Sequence, residues 1–141
     1  MPSPAQVIRQ FLIDQAILTE TDAWPAYVMH LPNTPDEVAC LYDTAGRFDG
    51  RIMETGEKVV HPGVMILVRG KEYQDVYDKV HEITDALDAI LRNDVVLSTE
   101  YAYLVQSVSR TSPPMALGVE ETGDRRRHRI TINMTVTLSE S

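Results

Sequence analysis

The sequence predicts an α+β fold: a mostly antiparallel sheet of about four to five strands, two main helices packed on one of its faces, and two long loops. Three observations carry this. Across Glu72–Leu91, the apolar residues Val76, Val80, Ile83, Leu87 and Ile90 step by 4, 3, 4 and 3, while Asp75, Asp78, Lys79, Glu82, Asp85 and Asp88 fill the gaps. That spacing is one stripe of an amphipathic helix. Across Ile130–Leu138, Ile130, Ile132, Met134, Val136 and Leu138 alternate with Thr131, Asn133, Thr135 and Thr137. A period of two is a half-buried antiparallel strand. Between these segments, Val64–Val68 is continuously apolar and of strand length. It suits a central strand covered on both faces.

The remaining elements follow in order. Residues 4–18 place Val7, Ile8, Phe11 and Leu12 on a helical stripe. Ser3 is a cap, Pro4 the first helical residue, and Gln6 completes a capping box. Trp24–Leu31 is short and bounded by prolines, an edge strand or extended arm. Val38–Thr44 and Tyr101–Arg110 read as strands. Residues 44–62 hold three glycines and little regular pattern, which predicts a long loop or a protruding hairpin. Residues 111–126, rich in Pro, Gly and acid, predict a second loop. Loops of this length in a compact domain are often functional.

The 141 residues suit one domain, 1–141, able to bury a core without disulfide or metal. Apolar content of 43% and charged content of 24% are those of a globular protein. No apolar run approaches the ~20 residues of a membrane span, and the first residues lack signal-peptide character. Cys40 is the only cysteine, expected as a small core residue in a protein folded in a reducing cytosol. The net charge of −8 argues against a dedicated nucleic-acid binder. Yet Asp124–Arg129 holds four of the thirteen basic residues, Arg125, Arg126, Arg127 and Arg129.

Chemical motifs are absent. The strand-glycine-helix order around Gly70 is where a phosphate-binding loop would sit. However, Gly63 precedes the strand, and Glu72 stands where that motif needs a hydroxyl. A carboxylate there suits the helix dipole and repels phosphate. Gly70 is therefore expected to make the turn, with Arg69 leaving the sheet at its edge. His30, His61, His81 and His128 lack metal-ligand spacing to one another or to Cys40, so no metal is expected. There is no nucleophile elbow and no basic neighbour beside Cys40 in sequence. No catalytic residue and no cofactor is expected.

The arginines bear more information. On an extended chain, Arg125, Arg127 and Arg129 point to the side of Thr131 and Asn133, while His128 joins the Ile130 side. They are either a solvated strand entry or a subunit or anion contact. Arg47, Phe48, Arg51, Ile52 and Met53 place basic and apolar residues in the first loop, where burial against another chain would account for them. An acidic body with one basic cluster suits self-association.

The stretch GEKVVHPGVMILVRGKEYQDVYDKVHEITDALDAI, residues 56–90, resembles the tail terminator, or minor tail and capsid completion, proteins of long-tailed bacteriophages. It shares with them an apolar strand ending in Val-Arg-Gly, a Tyr, and an amphipathic helix, after an N-terminal helix and before two closing strands. The resemblance implies a structural virion protein without catalytic chemistry. Such a protein forms a hexameric ring at the head–tail junction, caps the tail tube, and meets the tail-tube protein and a head-connector or neck protein. Genomic DNA would pass through the lumen without specific binding, and no membrane is involved. Another connector or head-completion protein is the close alternative. A small α+β enzyme or ligand-binding domain, and a DNA-binding module using Arg125–Arg129, are the others.

Overall fold

The computed structural model describes residues 2–51, 58–90, 93–96, 102–122 and 125–140. Helix α1 (Pro4–Asp14) is capped as its sequence predicts. The Ser3 amide donates to Gln6 Oε1 at 2.7 Å, and Ser3 Oγ accepts from the Gln6 amide at 3.4 Å. A cap of this kind contributes about 1 kcal/mol. The helix stops at Asp14, short of the predicted residue 18, because Ala16 takes φ 59°. The chain turns back there, Ile17 and Leu18 both donate to the Leu12 carbonyl, and Leu18 is buried.

Strands β1 (Ala26–Val28), β2 (Val38–Arg51) and β3 (Lys58–Gly70) follow. Then come helix α2 (Tyr73–Asp88) and strands β4 (Asn93–Val96), β5 (Ala102–Arg110), β6 (Met115–Thr122) and β7 (Arg125–Glu140). The α+β class is as predicted, but the sheet is larger and mixed. It has seven strands in the order β1-β2-β3-β7-β5-β4, with β6 also on β7. β1 runs parallel to β2 and the other pairs are antiparallel.

Both predicted loops are largely strand. β2 and β3 continue as a paired hairpin arm to Arg51 and Lys58, so 44–51 and 58–62 are ladder rather than loop. The second loop, 111–126, holds β6 and the start of β7. Pro113–Pro114 and the irregularity between Ala116 and Gly118 hide β6, since Met115 pairs with Thr131 and Val119 with His128, on opposite faces of the sheet. β5 and β6 lie end to end on one side of β7, pairing with its C-terminal and N-terminal parts, while β3 pairs along its other side.

One face of the sheet meets both helices. Ala39, Leu41, Val64, Ile66, Val68, Ile130, Ile132, Met134 and Val136 pack with Val7, Ile8, Phe11 and Leu12 of α1 and with Val76, Val80, Ile83 and Leu87 of α2. Full burial of a Leu or Ile side chain is worth about 1.5–3 kcal/mol. Gly70 sets how closely α2 approaches. A Cβ there would lie 2.8 Å from Val76 Cγ2 and 3.3 Å from the Trp24 ring. α2 starts at Glu72, whose side chain makes no capping bond. Gly46 serves the arm similarly, since a Cβ would run into the His61 carbonyl across the ladder.

Candidate partner interface

The other face of the sheet is closed in part by the chain between β1 and β2. Arg69, expected to leave the sheet at its edge, is instead 2% exposed. Its guanidinium donates to the carbonyls of Pro32 at 2.7 Å, Pro35 at 2.8 Å and Asp36 at 3.3 Å. The reason is satisfaction of polar groups. A proline-rich segment over a sheet has carbonyls without ladder partners, and a buried guanidinium supplies several donors at once.

Arg127 extends this clamp. It is 1% exposed and donates to the Asn33 carbonyl at 2.7 Å and to Asn33 Oδ1 at 3.3 Å. Asp36 Oδ1 lies 3.8 Å from its Nη1. Arg129 is half-buried on the same face, opposite Arg69 in the β3–β7 register. Arg126 points to the helix side, largely exposed, and pairs with Glu121 at 3.1 Å. The expected alternation therefore holds at Arg127, Arg129 and His128, whose ring is 5.6 Å from that of Tyr73 on α2. Arg127 is a tie within the chain, and Arg126 faces solvent. Arg125 opens β7 opposite Thr122.

Arg47, Phe48 and Arg51 lie on the arm, in register with His61, Val60 and Lys58. Ile52 and Met53 fall outside the described residues. The arm and the arginine segment are not brought together. The last β3–β7 pairs are Gly63↔Thr135 at one end and Gly70↔His128 at the other. The arm projects past the first end, and the β6–β7 hairpin past the second.

Two surface features escaped the sequence reading. Tyr73, Tyr77 and His81 form a ladder of rings along α2, with centroids 6.0 and 4.4 Å apart, and Tyr73 and Tyr77 are exposed. Their i, i+4 spacing was the available signal. On the opposite flank of α2, Trp24, Glu37, Asp75, Asp78, Lys79 and Glu82 line an open acidic groove. Lys79 sits 5.6 Å from the Trp24 ring centre and donates to the Ile17 carbonyl at 3.0 Å.

No cluster of three or more His, Cys, Asp or Glu able to hold a metal is found among the described residues. No described helix is long and apolar enough to cross a membrane. Cys40 is buried, with Sγ 3.3 Å from the His30 carbonyl. Burial pushes its thiol pKa up, away from the thiolate a nucleophile needs.

A family model described as bacteriophage tail terminator protein matches residues 11–138. The chain belongs to the bacteriophage tail terminator family. It is thus a structural protein of the virion tail. No curated protein matches it. A solved structure described as the virion of a native gene transfer agent particle is similar in fold, with a TM-score of 0.54 and 16% identity. The similarity covers 99% of this chain and 96% of that one. The terminator match spans both helices' core stripes and the strands they cover, except the first turns of α1 and the end of β7.

Proposed function

We propose that this tail terminator acts as a single α+β domain that assembles into a homo-oligomeric ring, a hexamer, at the head–tail junction. The ring binds the last subunits of the tail tube, stops further tube growth, and presents the surface that the head connector or neck joins. The observation that carries this reading is the pair of hairpins projecting from opposite ends of the sheet. A rigid subunit with two different projecting ends has the form a closed, heterologous assembly requires.

The mechanism is geometric, and no bond is made or broken. Arg47, Phe48 and Arg51 on the arm, and Arg125, Arg126 and Arg129 on β7, supply basic and apolar groups for a neighbour or a tail protein. Arg127 acts indirectly, by holding residues 32–36 against the sheet. The acidic body lets DNA pass through the lumen without sticking, because phosphates find few cations there.

Native mass spectrometry and negative-stain microscopy of the purified chain test this. The expected result is a ring of uniform subunit number that adds to tail tubes and prevents their elongation. A chain that stays monomeric at high concentration, and leaves tubes free to grow, sinks the proposal. Arrest of assembly at the head vertex, with no effect on tubes, would instead favour a head-completion role.

A further inference from the structure

Beyond the pair Gly70↔His128, β7 loses its neighbour on one side, because β3 ends there. The next pairs, Glu120↔Arg127, Glu121↔Arg126 and Thr122↔Arg125, join β7 to β6 alone among the described residues. A two-stranded ribbon by itself is marginal in water. Its tilt depends on what grips its root.

Two contacts grip this root, from opposite faces. Arg127 and His128 are adjacent on β7, so their side chains leave the strand on opposite sides. On one face, Arg127 is 1% exposed and donates to the Asn33 carbonyl at 2.7 Å and to Asn33 Oδ1 at 3.3 Å. The segment carrying Asn33 is itself fixed to the body of the sheet. Arg69 of β3 holds the carbonyls of Pro32, Pro35 and Asp36, and Cys40 of β2 holds that of His30. That segment is therefore a post against which Arg127 can pull. On the other face, the His128 ring meets the Tyr73 ring edge-on at 5.6 Å, at the first residue of α2. Tyr73 in turn stacks on Tyr77 at 6.0 Å. An open cleft lined by Lys71, Glu72, Arg126 and His128 lies between the ribbon and the start of α2. The ribbon has room to lean that way; a tie on one face and a ring buttress on the other oppose it.

We infer that Arg127 and Tyr73 are positioning residues, which together set the tilt of the β6–β7 hairpin about the Gly70–His128 pair. Without them the hairpin is a hinged part of the subunit. The inference goes beyond the ring reading and does not depend on it: it concerns how one projecting end is aimed, whatever that end meets.

A distance between two spin labels tests it. Glu121→Cys on the hairpin and Asp85→Cys on α2 are both exposed and carry the labels, while Cys40 is buried. With Arg127 and Tyr73 in place, one narrow distance is expected. Arg127→Met should broaden it and add a shorter component, as the hairpin leans into the cleft. Arg127→Lys, which keeps one charged donor, should restore part of the narrow distance. Tyr73→Ala, on a half-exposed residue outside the core, should shift the distance the same way by less, and Tyr73→Phe, which keeps the ring, should not. A purely stabilising Arg127 would lower the melting temperature of Arg127→Met and leave the distance measured well below melting unchanged. That result overturns the inference, and so does a distance already broad before either residue is replaced. If Arg127→Met fails to fold, Arg127→Lys and Tyr73→Ala decide by the same criterion. A narrow distance that broadens as expected, in a chain that forms no ring, upholds this inference and sinks the ring reading alone.

Discussion

Arg127 donates to the carbonyl of Asn33 at 2.7 Å, joining β7 to a segment 94 residues earlier in the chain. With Arg69 on Pro32 and Pro35, it closes one part of the sheet with polar groups alone. Removing a charged donor from buried carbonyls costs about 1.5–3 kcal/mol. Arg127→Met should therefore lower the melting temperature by several degrees, whereas Arg126→Met, on an exposed ion pair, should leave it nearly unchanged. Thermal unfolding of the two variants side by side checks this. It also separates fold from assembly: reversing Arg125, Arg127 and Arg129 together weakens the subunit itself, so the exposed Arg126 is the cleaner assembly probe.

Gly70→Ala should destabilise by about 1–3 kcal/mol, because its methyl would meet Val76 Cγ2 in a packed core. Adding Val76→Ala opens the space. The double variant should then lose less than the sum of the two single losses. A denaturant-melt double-mutant cycle measures that coupling, and strict additivity would contradict the packing argument.

Cys40 should resist thiol reagents in the folded protein at neutral pH and react only as the chain unfolds. Burial both shields the sulfur and raises its pKa, so thiolate is scarce. Reaction with a chromogenic disulfide, followed with and without denaturant, gives the contrast. Rapid modification of the native chain would show that the Cys40 side of the sheet is open.

Tyr42 titrates late. Partial burial, then its bond to Cys40, pushes its hydroxyl up to about 12 from 10.0. The folded chain thus holds this proton, and that of Cys40, more tightly than the unfolded chain does. Such groups contribute stability that is fully present below their unfolded values, 9.0 for Cys40 and 10.0 for Tyr42, and is lost as pH rises above them, for Tyr42 toward about 12. Denaturant midpoints across that range should fall, and Tyr42→Phe should flatten the fall. An unchanged slope in Tyr42→Phe would assign the alkaline loss to other groups.

The parts of the fold that were readable in the sequence are those written as a period. The stripe of Val76, Val80, Ile83 and Leu87, and the alternation from Ile130 to Val136, each report one face of one element. Both ended in the same core. Ser3, Pro4 and Gln6 were equally plain, because a capping box is local. What stayed hidden depends on partners far along the chain. Arg69 and Arg127 bind backbone carbonyls of Pro32, Asn33 and Pro35, and carbonyls carry no sequence signal. β4 is four residues long, below the length at which alternation means anything. β6 was masked by two prolines before it and a glycine within it. The arm was half legible: the sequence allowed a protruding hairpin, but three glycines obscured how far pairing runs. Of the candidate interface residues, Arg126 lies on the surface, Arg127 turns inward, and the exposed apolar edge of β6 was not among them.

The ladder from Gly63↔Thr135 to Gly70↔His128 stands between the two projecting hairpins, and its consequence is angular. Strands in a sheet are rotated relative to one another with a fixed hand, so this ladder sets the heading of the arm with respect to β6. In a ring built from those two ends, that heading is the turn from each subunit to the next. Circumference would then be written in eight residue pairs at the centre of the domain. A change in their twist would alter how many copies close the circle without touching any contact between them.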